Sequence, residues 1–288
     1  MEEIHLAIIG GSGLYDFPGL SSKRELKVST PFGEPSAPII LGELEGKRVA
    51  FLARHGVGHT ISPSEVNSQA NIFALKILGA ANIISISACG SLKEEIAPGD
   101  MVIPDNLFDF TRNRKRSFFG KGLVAHVSVA DPFCTNLGDQ LGAAMTTIGS
   151  RKVHRSGTLI TIEGPRFSTR AESRLYRQWG MSIIGMTTSP EAFLAREAEM
   201  CYSVMAHVTD YDVWHSSASP VTVEMVIKVL NENTSMAQQV IKTLVQSFKD
   251  ENDCSCRSAL KSALITPLNL VPKETLFKLE PLIGKYQK

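Results

Sequence analysis

The segment Val204-Met-Ala-His-Val-Thr-Asp-Tyr-Asp-Val-Trp214 constrains the fold of this chain more than any other. Its apolar run does not alternate, which predicts a strand covered on both faces, as in the parallel sheets of α/β proteins. The run stops at two carboxylates, Asp210 and Asp212, flanked by Tyr211 and Trp214. In such sheets ligands bind just beyond the carboxyl ends of the strands. Two aspartates there present paired acceptors to a small polar molecule. The same pair also fits a helix cap or an Asx turn, because Asp ends strands for local backbone reasons too.

Other apolar segments end in the same way. Ile4–Ile9 runs into Gly10-Gly-Ser-Gly13, where glycines admit close backbone approach and Ser12 adds a donor. The third glycine of a dinucleotide fingerprint is replaced by Asp16 and no Walker lysine follows, so the loop reads as a small anion loop or a plain strand exit. Residues 38–53 predict two strands around Glu45-Gly46, the second ending at Arg54-His55-Gly56. An Arg–His pair at a strand exit suits a phosphate or carboxylate. His55 and His59 lack a third ligand of matching spacing, so no metal is expected there. Ser62-Pro63-Ser64-Glu65 is expected to open a helix by capping-box logic. Ile83–Ser87 predicts a central strand ending in Ala88-Cys89-Gly90-Ser91, with Cys89 read as a small buried thiol. Met101–Phe110 reads as a strand pair, and Arg112, Arg114, Lys115 and Arg116 as a solvated loop or the rim of a site. Further on come a helix over 134–147, a strand over 155–163, and a helix capped by Thr169 and Glu172. A helix opened by Ser189-Pro190 and a long amphipathic helix over 222–248 follow.

Composition narrows the classes. A length of 288 residues with 43% hydrophobic and 20% charged content suits one large α/β domain and excludes disorder. A net charge of +1 gives no reason to expect nucleic acid or an anionic membrane surface. Five cysteines, an odd number with three in apolar segments, argue against a secreted disulfide framework. With no signal-peptide pattern at the start and no apolar run of bilayer length, the expected location is the cytoplasm.

Taken together, Ile8-Ile-Gly-Gly-Ser-Gly-Leu14, Thr30-Pro-Phe-Gly33, Leu52-Ala-Arg-His-Gly56, Val66-Asn67 with Asn71, Ala88-Cys-Gly-Ser91, Glu163-Gly-Pro-Arg-Phe-Ser168, Met186-Thr-Thr188 and Thr209-Asp-Tyr-Asp212 resemble the trimeric purine nucleoside phosphorylase and methylthioadenosine phosphorylase family. The likeness runs from about residue 6 to 245; residues 251–288 match poorly. It implies one domain over 1–288, with a central mixed, distorted barrel-like sheet flanked by helices, and a homotrimer. The implied reaction is reversible phosphorolysis of S-methyl-5′-thioadenosine to adenine and methylthioribose-1-phosphate, with inorganic phosphate as co-substrate and no metal or organic cofactor.

Carried over by residue, the resemblance places phosphate at Ser12, Arg54, His55, Ser87, Ala88 (through its backbone N–H) and Thr187. Ser12 and Ser87 stand where threonine is common, and the hydroxyl is kept. Met186 would contact the ribose, Phe167 and Ser168 would line the base pocket, and His59 would join the substrate-contacting residues. Asp210 and Asp212 would address the purine as the catalytic pair. Val223, Val226 and Ile227 would form the apolar pocket for the methylthio group, and His126 would enter from the neighbouring subunit. Ile265 or Leu268 is a candidate to close that pocket from the tail. Cys254-Ser-Cys256 resembles a redox-type pair of some thermophilic relatives; it equally fits two ordinary thiols in an exposed tail.

These residue types suit the chemistry. A buried Asp210 near Asp212 should have a raised pKa and can protonate or hydrogen-bond purine N7. A carboxylate accepts from the 6-amino group of adenine and repels a 6-oxo group, a difference worth roughly 10⁴-fold or more. The alternatives are the same fold acting on 6-oxopurine nucleosides, a nucleoside hydrolase indifferent to phosphate, and a nucleotide-binding reductase resting on the N-terminal glycines alone.

Overall fold

The structure, a computed structural model, describes residues 4–11, 17–149, 151–215 and 223–287, with 223–233 described by backbone alone. In chain order, β1 (Leu6–Gly10), β2 (Ser21–Leu26), β3 (Ile39–Leu44) and β4 (Lys47–Ala53) precede helix α1 (Ser68–Ile77) and β5 (Asn82–Ser91). Next come β6 (Met101–Val102), β7 (Asn106–Phe110), α2 (Thr135–Ile148), β8 (Val153–His154), β9 (Thr158–Ile162) and α3 (Arg170–Gln178). The chain continues through β10 (Ile183–Gly185), α4 (Thr188–Glu197), β11 (Cys201–Asp210), α5 (Val223–Ser247) and α6 (Lys273–Ile283).

The strands form one mixed 11-stranded sheet with a path β2-β3-β4-β1-β5-β10-β9-β7 and a branch through β11, β6 and β8. β5 is the hub. It pairs parallel with β1 and β11 and antiparallel with β10, and Gly90 near its end faces both Ile184 and Asp210. Among the described residues the path ends at β2 and β7, so the sheet does not close into a barrel. Alternate residues face two cores. Ala7 and Ile9 of β1, with Val204, Ala206 and Val208 of β11, pack with α1 and α4 residues such as Phe73 and Leu194. Leu6, Ile8 and Met205 pack instead with Leu137 and Leu141 of α2 and with Ile241 and Leu244 of α5. Helices on both faces are what the unalternating apolar strands require. Cys201–Thr209 is buried throughout, as that run predicts.

Four local expectations are revised. Ser62–Glu65 closes a turn, with the Ser62 N–H and Oγ both donating to Glu65 Oε2, and does not begin a helix. The helix starts after Asn67, whose Oδ1 accepts from the Ala70 N–H at 3.1 Å. Met101–Phe110 is not a strand pair: β6 pairs with β11 and β8, and β7 pairs with β9. β2 went unread because Ser-Ser-Lys-Arg-Glu-Leu is an exposed, charged edge strand with no apolar face to signal it. Finally, Cys254 and Cys256 are buried, not exposed. No described helix is long and apolar enough to cross a membrane.

Candidate active site

Sheet register assembles the candidate residues. β11 ends beside β5, with His207 opposite Ala88 and Asp210 opposite Gly90. β10 meets the other edge of β5 through Ile184 and Gly90, which carries Met186 and Thr187 to the same end of the sheet. Gly90 is required there: a Cβ would lie 3.0 Å from both Asp210 Oδ1 and Ile184 Cγ2 and 3.4 Å from Asp212 Cβ. A side chain there would need Asp210 and Ile184 to give by a few tenths of an ångström.

The carboxylate pair sits in a low-dielectric setting. Asp210 Oδ1 accepts from the Asp212 N–H at 2.7 Å, and Oδ2 lies 2.6 Å from the Thr209 hydroxyl. Thr209 Oγ1 is also 3.2 Å from the Cys89 carbonyl. One hydroxyl hydrogen can serve an ionised Asp210; turned to Cys89, it leaves oxygen lone pairs that accept from a neutral Asp210. Both protonation states are therefore accommodated. Burial raises the pKa of Asp210 against the opposing pull of Thr209 and the Asp212 N–H. Burial also raises that of Asp212, with the charge of Asp210 adding in the same direction. Asp212 is 5% exposed, adopts φ +50°, and its Oδ2 has no hydrogen-bond partner. The Ser168 and Ser173 hydroxyls face the same carboxyl, and neither makes a well-formed bond. Trp214 fixes the exit of the strand by donating to Ser91 O at 2.7 Å, and the Arg177 guanidinium stacks 3.3 Å from the centre of its ring.

A second cluster surrounds the amino end of α4. Thr187 precedes α4 and its side chain makes no capping bond; Ser189 is extended (φ −95°, ψ 135°), so the regular turns of the helix begin at Pro190, just beyond it. Such an end offers N–H groups and positive potential to an anion. Ser87, Ala88, Met186 and Thr187 are all half-buried. Arg114 holds this region together. It donates to the Met186 and Ser189 carbonyls at 2.7 Å each and pairs with Glu163 at 3.1 Å. The Glu163–Ser168 turn packs so closely on Met186 that a Cβ on Gly164 would lie 2.7 Å from its sulfur.

Arg54 is 2% exposed and clamped to fully buried Glu191 through two bonds of 3.0 and 2.9 Å. It also donates to Ile86 O and Ser85 Oγ, so four of its five N–H hydrogens serve the protein and one on Nη1 remains. Tyr202 donates to Glu191 at 2.7 Å and completes the network. His55 Nδ1 lies 2.9 Å from the Ile61 carbonyl, which assigns the ring hydrogen to Nδ1 and leaves Nε2 as an acceptor. Burial and the charge of Arg54 lower the His55 pKa to about 4, so the ring is neutral at pH 7. It stacks on His59 with centroids 4.4 Å apart.

The remaining expected residues are placed less centrally. Phe167 is 39% exposed at the lip of the turn before α3. His126 is exposed and bonded through its N–H to Ala263 O, on a segment that pairs with the tail. Ile265, on the tail segment that pairs with it, is 59% exposed. Ser12 lies outside the described residues, as do the side chains of Val223, Val226 and Ile227. Glu191 escapes the sequence reading, and Arg114 enters it only within a basic run that reads as a solvated loop or the rim of a site. The only available signals were a carboxylate inside an apolar helix and an arginine in a crowded basic run.

Residues 5–246 match the Phosphorylase superfamily. The chain belongs to that superfamily. S-methyl-5′-thioadenosine phosphorylase of Geobacter sulfurreducens is 50% identical over 287 residues, covering 99% of this chain and 100% of that protein. A methylthioadenosine phosphorylase from an antarctic soil metagenomic library superposes with a TM-score of 0.93 at 48% identity, covering 98% of this chain and 99% of the other. A mutant adenosine/methylthioadenosine phosphorylase from Schistosoma mansoni, solved in complex with methylthioadenosine, gives a TM-score of 0.81 at 36% identity over 90% of this chain and 97% of its own. The likeness to the first two reaches the tail, the part whose motifs are least distinctive. As a superfamily member the chain has the expected mixed sheet, with the two aspartates at the carboxyl end of β11.

Proposed function

We propose that this phosphorylase cleaves S-methyl-5′-thioadenosine with inorganic phosphate to give adenine and 5-methylthioribose-1-phosphate. The observation that carries the reading is the carboxylate pair at the end of β11, buried, raised in pKa and with Asp212 Oδ2 unpartnered, beside the amino end of α4. Phosphate is held by donors from Thr187, Ser87, the Ala88 N–H, Ser12 and the remaining Arg54 hydrogen, while the hydroxyl of monohydrogen phosphate donates to the neutral His55 Nε2. One phosphate oxygen forms the new bond to C1′ as the C1′–N9 bond breaks, and the bonding pair leaves with the purine. Asp210 supplies or shares a proton at N7, and Asp212 accepts from the 6-amino group. Positioned charge and general acid help supply the acceleration. Met186 and His59 contact the sugar side, Phe167 and Ser168 the base, and Val223, Val226 and Ile227 the methylthio group. No metal or organic cofactor enters these steps.

The names of the curated relatives support a methylthio and 6-amino substrate over the 6-oxo alternative. The reading includes a homotrimer, in which exposed His126 reaches the neighbouring site, and work in the cytoplasm. Chromatographic identification of products from purified protein tests the reaction. Equal molar adenine and a phosphorylated methylthiopentose are expected; free methylthioribose in place of the phosphate ester would identify a hydrolase.

A further inference from the structure

Cys134, Cys201, Cys254 and Cys256 bring their sulfurs within 4.8 Å of one another, far apart in sequence and all free and buried. They come from three places: the N-cap of α2, the first residue of β11, and the short 3₁₀ turn after α5. Cys134 and Cys254 are 3.6 Å apart, sulfur to sulfur. Tetrahedral coordination with zinc–sulfur bonds of about 2.3 Å sets sulfurs about 3.8 Å apart, whereas a disulfide needs about 2.05 Å.

We propose that these four thiolates hold one zinc(II) ion in a closed structural site, contrary to the expectation that the chain carries no metal. Four cysteines around one point leave no open position for water or substrate, the mark of a structural site. Binding displaces four thiol protons to solvent and oxidises nothing. The resulting complex carries two negative charges in the core, and the surroundings answer them. Arg196 Nη1 donates to Cys256 Sγ at 3.2 Å, and its Nη2 is anchored on the Asp131 carbonyl. Cys134 adds the positive amino end of α2. Cys201 begins β11 and Asp210 ends it. Nine residue steps of about 3.3 Å put the metal roughly 30 Å along the strand from the carboxylate pair. Its task is to fasten the segment after α5 to the sheet and to α2.

The test is the metal content of dialysed wild-type protein, measured by mass spectrometry alongside alkylation of its thiols in denaturant. One zinc per chain is expected, with cobalt(II) replacing it to give a tetrathiolate charge-transfer spectrum. A Cys254→Ser, Cys256→Ser double variant should lose the whole equivalent while Asp210-dependent turnover persists. Wild-type protein with far less than one metal per chain and all five cysteines alkylatable would make the cluster plain apolar packing and overturn the proposal. Disulfides in place of free or metal-bound thiols would overturn it equally, as would full zinc retention by the double variant. The wild-type measurements decide the matter even if the variant fails to fold.

Discussion

In the proposed reaction, Asp212 concentrates the specificity of the site in one side chain. It is buried, held at positive φ beside Gly90, and keeps one oxygen without a partner. A buried acceptor left unpaired costs about 1–3 kcal/mol, so the site favours the ligand that supplies a donor there. Asp212→Asn keeps the shape and replaces an acceptor with a donor. We expect its kcat/KM for methylthioadenosine to fall roughly 10²–10⁴-fold, and activity on methylthioinosine relative to methylthioadenosine to rise. An unchanged ratio in parallel assays would detach Asp212 from the purine. That aspartates would end this strand was legible from sequence. Its hidden companion was not: Arg54 could be read as an anion ligand, but its clamp on Glu191, 137 positions later, depends on a contact no local pattern records.

In the proposed reaction the elements divide the work between anion and base. Ahead of the amino end of α4, Thr187 makes no capping bond with its side chain; if it holds phosphate as proposed, Thr187→Ala removes a donor to a charged group. A hydrogen bond of that kind contributes about 1.5–3 kcal/mol, and the KM for phosphate should rise roughly 10- to 100-fold with the KM for nucleoside little changed. Equal loss for both substrates in steady-state kinetics would move phosphate elsewhere. β11 carries a different consequence. His207, 2% exposed and without a partner for either ring nitrogen, has its pKa lowered from 6.5 to about 4 by burial and by the charge of Arg151. Between those values the unfolded chain binds a proton that the folded chain refuses, so stability falls as pH drops from about 6.5 to 4. One such group costs at most about 1.4 kcal/mol per pH unit in that window. Denaturant midpoints of His207→Leu across this range should fall less steeply than those of the parent; an identical slope would assign the acid sensitivity to other groups. The apolar periodicity that announced β11 also announced its burial. It could not say which neighbours would surround its histidine.

At the scale of the whole molecule, a mixed sheet with helices on both faces gathers strand ends from positions 10 to 210 at one edge. Strand and helix patterns made that architecture readable, while β2 and the separate pairing of β6 and β7 were hidden because edge strands and two-residue strands carry little hydrophobic signal. The tail was least legible. Its cysteines acquire meaning only when α2 and β11 bring theirs to the same point. Exposed His126 bears on assembly. In a trimer with shared sites, His126→Ala should lower kcat/KM for nucleoside while light scattering still reports three chains; a fully active monomer would contradict that arrangement.

The most direct measurement is base release from methylthioadenosine by purified wild-type protein as phosphate is titrated from zero, with methylthioinosine assayed in parallel. No adenine is expected without phosphate, with saturable release as phosphate is added and little or no hypoxanthine. Adenine release independent of phosphate, or hypoxanthine formed in preference to adenine, would contradict the proposed reaction.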